Sequence, residues 1–189
     1  TGSRPAPQQN QHRLAMNRTL EDALAALASG ATPTVNLAFN HIGDQGTARL
    51  AAALERNATV TTLNLVANDI GPRGTERLAA ALEANASVTS LDLADNYVRA
   101  QGAEQLAAAL RRNTSVRTLS LESNSIGDQG AERLAAALQQ NAAVTALDLR
   151  LNDIGAQGAG HLAAALGRNA SITALDLQSN GLGDQGAER

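Results

Sequence analysis

Asparagine recurs at positions 40, 68, 96, 124, 152 and 180, each 28 residues after the last. A spacing held over six copies without insertion admits few folds. Each copy must be one structural unit, and the units must stack so that each covers the apolar face its neighbour cannot bury alone. The residues before each asparagine agree as well: Val35-Asn-Leu-Ala-Phe-Asn40, Leu63-Asn-Leu-Val-Ala-Asn68, Leu91-Asp-Leu-Ala-Asp-Asn96, Leu119-Ser-Leu-Glu-Ser-Asn124, Leu147-Asp-Leu-Arg-Leu-Asn152 and Leu175-Asp-Leu-Gln-Ser-Asn180.

Two periodicities share each unit. Val60, Leu63 and Leu65 fall among polar residues with the period of two that predicts a strand with one buried face. From about Gln45 the period changes, and Thr47, Leu50, Ala51 and Leu54 form one apolar helical stripe. The same columns hold Ala131, Leu134, Ala135 and Leu138 in a later unit. Gly43, Asp44 and Pro72 mark helix starts, where proline and an acid suit a first turn with unpaired amides and a positive dipole end. Asn57, Asn85, Asn113, Asn141 and Asn169 mark helix ends, where the expectation is a left-handed cap. The asparagines at 68 and its repeats are expected to form a buried structural ladder, because an amide both donates and accepts.

The strand segments resemble the leucine-rich repeat, L-x-x-L-x-L-x-x-N-x-[IL]. The helical segments, such as Ile126-Gly-Asp-Gln-Gly-Ala-Glu-Arg-Leu-Ala-Ala-Ala-Leu138, look like the subclass found in ribonuclease inhibitors, Ran GTPase activators and NOD-like receptors. The resemblance covers about residues 33–189 and implies an α/β solenoid. Strands pack about 4.8 Å apart and helices about 8–10 Å apart, so the array curves with parallel strands on its concave face and helices on its convex face. The domain reading is a disordered leader at 1–16, a degenerate capping helix within 17–32 set two residues out of register, and about five and a half units over 33–189. Because the sequence stops at Arg189 as a helix begins, a monomer or weak self-association through the C-terminal edge is expected.

Columns that packing does not hold constant carry the specificity. The strand columns beside the leucines, and the two varied columns around each asparagine, give the candidate partner-binding residues Phe39, Val66, Asp92, Asp95, Tyr97, Glu122, Asp148, Arg150, Leu151 and Asp176. Their charge makes the concave face acidic, which suits a partner with a basic surface. Asp148 and Asp176, one strand apart, repel by about 1 kcal/mol in water, and Arg150 on the same face is placed to relieve them.

Composition excludes several chemistries. The chain has no cysteine, so thiol catalysis, disulfides and cysteine-ligated metals are ruled out. Lys+Arg 15 against Asp+Glu 18 calls for neither nucleic acid nor a membrane surface. His12, His41 and His161 share no metal-ligand spacing, and no phosphate loop, serine elbow or cofactor motif occurs. Neither a metal, a cofactor nor an enzyme activity is expected. Asn57, Asn85, Asn113 and Asn169 head glycosylation sequons, as does Asn17, and those in the repeat column read as by-products of the repeat. The alanine-rich near-copies are similar to leucine-rich proteins of GC-rich bacteria, including translocated effectors, although no F-box accompanies them. The function expected is a non-catalytic protein-interaction scaffold, in the cytoplasm or translocated into a host's. The alternatives are a GTPase-activator-like regulator, or a structural array without a dedicated partner.

Overall fold

The computed structural model describes residues 19–183. The leader at 1–16, the start of the capping segment at 17–18 and the final residues 184–189 lie outside the described residues. Within them, six helices alternate with six strands. The order is α1 (Leu20–Ser29), β1 (Thr34–Asn36), α2 (Gly43–Leu54), β2 (Thr62–Asn64), α3 (Pro72–Ala84), β3 (Ser90–Asp92), α4 (Arg99–Leu110), β4 (Thr118–Ser120), α5 (Gly127–Leu138), β5 (Ala146–Asp148), α6 (Ala156–Leu166) and β6 (Ala174–Asp176).

All six strands join one parallel sheet in sequence order. Its register repeats the sequence period, with Val35 opposite Leu63, Leu63 opposite Leu91, and Leu147 opposite Leu175. Each helix packs on the next, as expected of an α/β solenoid in which every unit touches only its neighbours. Leu37, Leu65, Leu93, Leu121 and Leu149 are fully buried between sheet and helices. The helical stripe is buried as its spacing predicts, at Leu50, Ala51 and Leu54 in α2 and at Ala131, Leu134, Ala135 and Leu138 in α5.

The strands are only three residues long, shorter than the apolar alternation suggests. The chain leaves the pleat because the residue before each asparagine turns left-handed, with φ of 60° at Phe39, 53° at Ala67, 54° at Asp95 and 55° at Leu151. The asparagine side chain then fills the corner. Asn152 Nδ2 donates to the carbonyls of Leu121 (2.7 Å) and Arg150 (2.9 Å), and its Oδ1 accepts from the amides of Asn124 (3.1 Å) and Ile126 (3.3 Å). Each such amide ties its own turn to the preceding unit, and Asn68, Asn124 and Asn152 have no exposed surface.

Two local expectations are corrected and one is extended. The asparagines after the helices are not left-handed caps: Asn85 is extended (φ −80°, ψ 125°) with its side chain buried. They form a second ladder, in which Asn85 Nδ2 donates to Leu54 and Asn57 carbonyls of the preceding unit while its Oδ1 accepts from Ser87 and Val88 amides. A buried amide that completes several backbone groups outweighs the local preference for a left-handed cap. The extension concerns Asp44, which stands in the first turn of its own helix as expected and also acts on the following one. Its Oδ1 accepts from the amides of Gly71 (2.7 Å) and Gly74 (2.8 Å) at the start of α3, and Asp128 does the same for Gly155 and Gly158 at the start of α6. Gly74 is required there, because a Cβ would stand 2.6 Å from the Asp44 oxygen. The second correction concerns α1, which is not displaced by two residues. Glu21 pairs with Arg49 at the full repeat of 28, and only the end of the helix slips, by one: Asn57 reaches the Leu27 carbonyl 30 residues back, where Asn85 reaches 31.

Candidate functional site

The structure divides the candidate residues between two surfaces. Val66, Asp92, Glu122, Asp148, Arg150 and Asp176 lie on the sheet face, half-buried. Phe39, Asp95, Tyr97 and Leu151 lie beyond the strands, on the rim made by the left-handed turns, and all four are exposed. The sequence columns suggested one continuous strand face. The early end of each strand separates the rim from it.

The column holding Asn36, Asn64, Asp92, Asp148 and Asp176 has a backbone role that the sequence reading did not identify. In each, Oδ1 accepts from the amide two residues on, at Ala38, Val66, Ala94, Arg150 and Gln178, over 2.9–3.1 Å. Those amides donate to no backbone carbonyl among the described residues, so the side chain supplies the missing acceptor as the strand ends. Either a carboxylate or an amide oxygen can fill this role. The choice of Asp over Asn in β3, β5 and β6 therefore adds charge where the turn itself does not require it.

Arg150 organises the acidic end of the face. Its Nη2 donates to Glu122 Oε2 (2.6 Å) and Asp148 Oδ2 (2.7 Å), its Nε reaches both Asp148 oxygens at 3.0 Å, and Asp176 Oδ2 lies 3.5 Å from Nε. One cation thus stands among three carboxylates from three successive units. Burial pushes the Asp148 carboxyl up, but the side-chain and backbone hydrogen bonds of Arg150 outweigh it and hold it below the usual carboxylate range. The hydrogen bond to Asp148 in turn holds Arg150 more firmly protonated, with Glu122 and Asp176 adding to its field. Beside this network a shallow trough of ≈ 860 Å³ runs over small side chains, among them Thr118, Ser120, Ala146 and Ala174.

On the rim, Phe39 is 68% exposed, Tyr97 56% and Leu151 49%. These are the exposed large apolar residues among the described ones, and they include the only phenylalanine and only tyrosine of the chain. The rim also carries Asp69, whose Oδ2 lies 2.7 Å from His41 Nδ1, and the exposed Asp153. Both acids stand in the column of Tyr97, where their charge could have been read from the sequence. No ion pair engages Asp92, Asp95 or Asp153 among the described residues.

Other candidate chemistries are answered by geometry. The Nδ2 atoms of the sequon asparagines Asn57, Asn85 and Asn113 point into the second ladder and are occupied by carbonyls. The residue two on is Ser or Thr because its amide, and in most units its hydroxyl, serves the same Oδ1. No group of three or more His, Asp or Glu among the described residues could hold a metal ion. No helix among them is long and apolar enough to cross a membrane.

Comparison with known families matches the Leucine Rich repeat over residues 34–51, 56–79, 84–107, 112–135, 140–163 and 168–189. The chain belongs to the leucine-rich repeat family. Its fold is similar to that of leiomodin-1 actin-binding site 2, with a TM-score of 0.69 and 21% identity over 80% of this chain and 90% of that one. It is also similar to the tropomodulin C-terminal domain of Caenorhabditis elegans, with a TM-score of 0.56 and 16% identity over 85% of this chain and 83% of that one. No curated protein matches the chain in sequence.

Proposed function

We propose that this chain is a non-catalytic protein-binding scaffold that receives a partner with a basic surface on its acidic concave face and the adjoining rim. The observation that carries this reading is the placement of Phe39 and Tyr97. A chain with 1% aromatic residues builds its core from Leu, Ala, Val and Ile and leaves both of its aromatics in water, as it does Leu151. Large apolar side chains set among charges are the usual anchors of a protein interface. The excess of carboxylates over Arg150 favours a cationic partner, and because Asn and Asp fill the same acceptor role in their column, the acids there add charge that the turn does not require. The name of the leiomodin domain, which includes an actin-binding site, is in keeping with a protein partner for a solenoid of this shape. The paired carboxylates stand on an open surface, half-buried and committed to Arg150 and to backbone amides, which suits recognition rather than acid–base catalysis.

The test is affinity capture with mass spectrometry, comparing the native chain with Asp92→Asn/Glu122→Gln/Asp148→Asn/Asp176→Asn. The asparagines retain the acceptor for the amide two residues on, so the variant removes charge and leaves the turns intact. A partner captured by the native chain and lost from the variant is the expected result. Identical partners on both would overturn the assignment of the acidic face.

A further inference from the structure

The turn between α4 and β4 departs from its copies at three positions that the fold brings together. Arg111, just past the end of α4, stands in a column that otherwise holds Glu55, Glu83, Gln139 and Gly167. Thr114 stands among Ala58, Ala86, Ala142 and Ala170, and Arg117 among Thr61, Thr89, Thr145 and Thr173. All three are exposed. With Gln140, Ala142 and Ala143 they line a notch of ≈ 290 Å³ on the edge where the strands begin, opposite the rim. The same notch two units earlier, of ≈ 440 Å³, is lined by Glu55, Ala58 and Thr61. Stacking of the units therefore builds the notch, and two arginines and a hydroxyl distinguish this copy of it.

These residues supply donors that the repeat does not use. Each threonine in the Arg117 column donates its hydroxyl to a carbonyl of the preceding unit, as Thr89 does to Thr61 and Thr145 to Arg117, at 3.1 and 3.2 Å. Arg117 forgoes that bond. Its Nη1 donates to the Ala143 carbonyl at 3.2 Å, and its Nε and Nη2 have no partner among the described residues. Glu83, one unit back from Arg111, is engaged by Arg112 at 3.2 Å. The Arg111 guanidinium and the Thr114 hydroxyl have no side-chain or backbone partner among the described residues. A cation suits a helix C-terminus, but Glu55 and Glu83 hold the place of Arg111 in other units, so the fold does not require one there. Arg168 lines an adjoining notch of ≈ 280 Å³ that shares Gln140, Asn141 and Ala142, and no carboxylate among the described residues lines either one.

The donors select the ligand. One guanidinium fork satisfies the two oxygens of a carboxylate. Two guanidiniums and a hydroxyl exceed that need and match a phosphate, which offers three acceptor oxygens and a charge of about −1.5 to −2. The notch is open, so it suits a phosphate carried on a longer chain better than an enclosed small molecule. A nucleic acid strand calls for aromatic stacking partners, and Phe39 and Tyr97 lie on the opposite rim. A membrane calls for large apolar anchors, and the apolar residues here are alanines. We infer that this notch binds a phosphoserine or phosphothreonine side chain on a segment of a partner protein. Arg111 and Arg117 take the phosphate oxygens with the Thr114 hydroxyl, and Arg168 extends the positive strip along the edge, as arginine clusters do in phosphopeptide recognition. The site is separate from the acidic face and does not depend on the scaffold reading.

The test is fluorescence anisotropy with three pools of short peptides that share random flanks and differ at the centre, which is phosphoserine, serine or glutamate. A labelled single-stranded oligonucleotide is the fourth probe. The native chain is expected to bind the phosphoserine pool at least about tenfold tighter than the serine or glutamate pool, the factor that one charge-assisted hydrogen bond carries. The variant Arg111→Glu/Thr114→Ala/Arg117→Thr gives this notch the residues of the earlier one, so the repeat is preserved, and circular dichroism verifies it. That variant is expected to lose the preference. No binding of the phosphoserine pool, equal affinity for the serine or glutamate pool, tighter binding of the oligonucleotide, or full affinity in the variant would each overturn the inference. Binding lost in the charge-neutralised face variant and kept in the notch variant would overturn it too, while leaving the scaffold reading standing.

Discussion

Replacing Asn152 with alanine should be among the most damaging single changes available to this chain. The side chain completes four backbone groups: it donates to the Leu121 and Arg150 carbonyls and accepts from the Asn124 and Ile126 amides. It has no exposed surface, so water does not replace it freely. At about 1 kcal/mol for each buried group left unpaired, the expected loss is about 3–4 kcal/mol. Asn40 is the internal control. It occupies the same column but only half-buried, and among the described residues its side chain donates to two carbonyls, those of Leu37 and Ala38 in its own turn. Asn40→Ala should therefore cost about 0.5–1 kcal/mol. The assay is urea denaturation followed by circular dichroism at neutral pH, with the slopes compared to detect uncoupling of units at the altered interface. A loss for Asn152→Ala within 1 kcal/mol of that for Asn40→Ala would refute the reasoning, because it would mean that the inter-unit bonds add nothing beyond those within the turn.

Arg99 occupies the column of Gly43 and Gly127 and opens α4 with φ of 57°; Arg99→Gly should raise stability by about 0.5–1 kcal/mol, seen as a higher melting temperature, and a fall would contradict the strain argument. Asp128→Ala removes the acceptor for the Gly155 and Gly158 amides and should cost about 1–2 kcal/mol, concentrated in faster amide exchange at the start of α6. Exchange unchanged there would show that the inter-unit cap is dispensable. Because the carboxyl of Asp148 is held below its unfolded value, its stabilisation is complete above the ordinary carboxylate range and is lost as pH falls through the folded value. Arg150→Met should accordingly raise the Asp148 titration midpoint by NMR and lower the melting temperature more at pH 7 than at pH 3. Equal deficits at the two pH values would show that the network contributes packing rather than charge.

The unit, its length and its two-part secondary structure were legible in the sequence because packing imposes strict columns. A leucine that must meet its copy across a parallel ladder, as Leu63 meets Leu91, cannot vary. Short-range preferences were read less well. Asn85 looked like a left-handed cap because asparagine tolerates that conformation, yet its side chain turns inward to carbonyls of the preceding unit. Asp44 looked like a residue of its own first turn, yet it also caps the helix after it. In both cases the deciding partner lies about one repeat away, and nothing within a local window reveals it.

The candidate surface shows the same division. The variable columns named its residues, including the acids and Arg150. Its partition into a sheet face and a rim was decided only when the backbone turned left-handed at Phe39, Asp95 and Leu151. The doubled role of Asp92, Asp148 and Asp176 also emerged only in three dimensions, where each carboxylate is seen to complete an amide stranded at the end of its strand. The sequence by itself determined the repeating unit and what must be buried, because burial acts through composition and period. Tertiary structure decided where each polar atom finds its partner and which exposed side chains share an edge, because those depend on distances between units that are far apart along the chain.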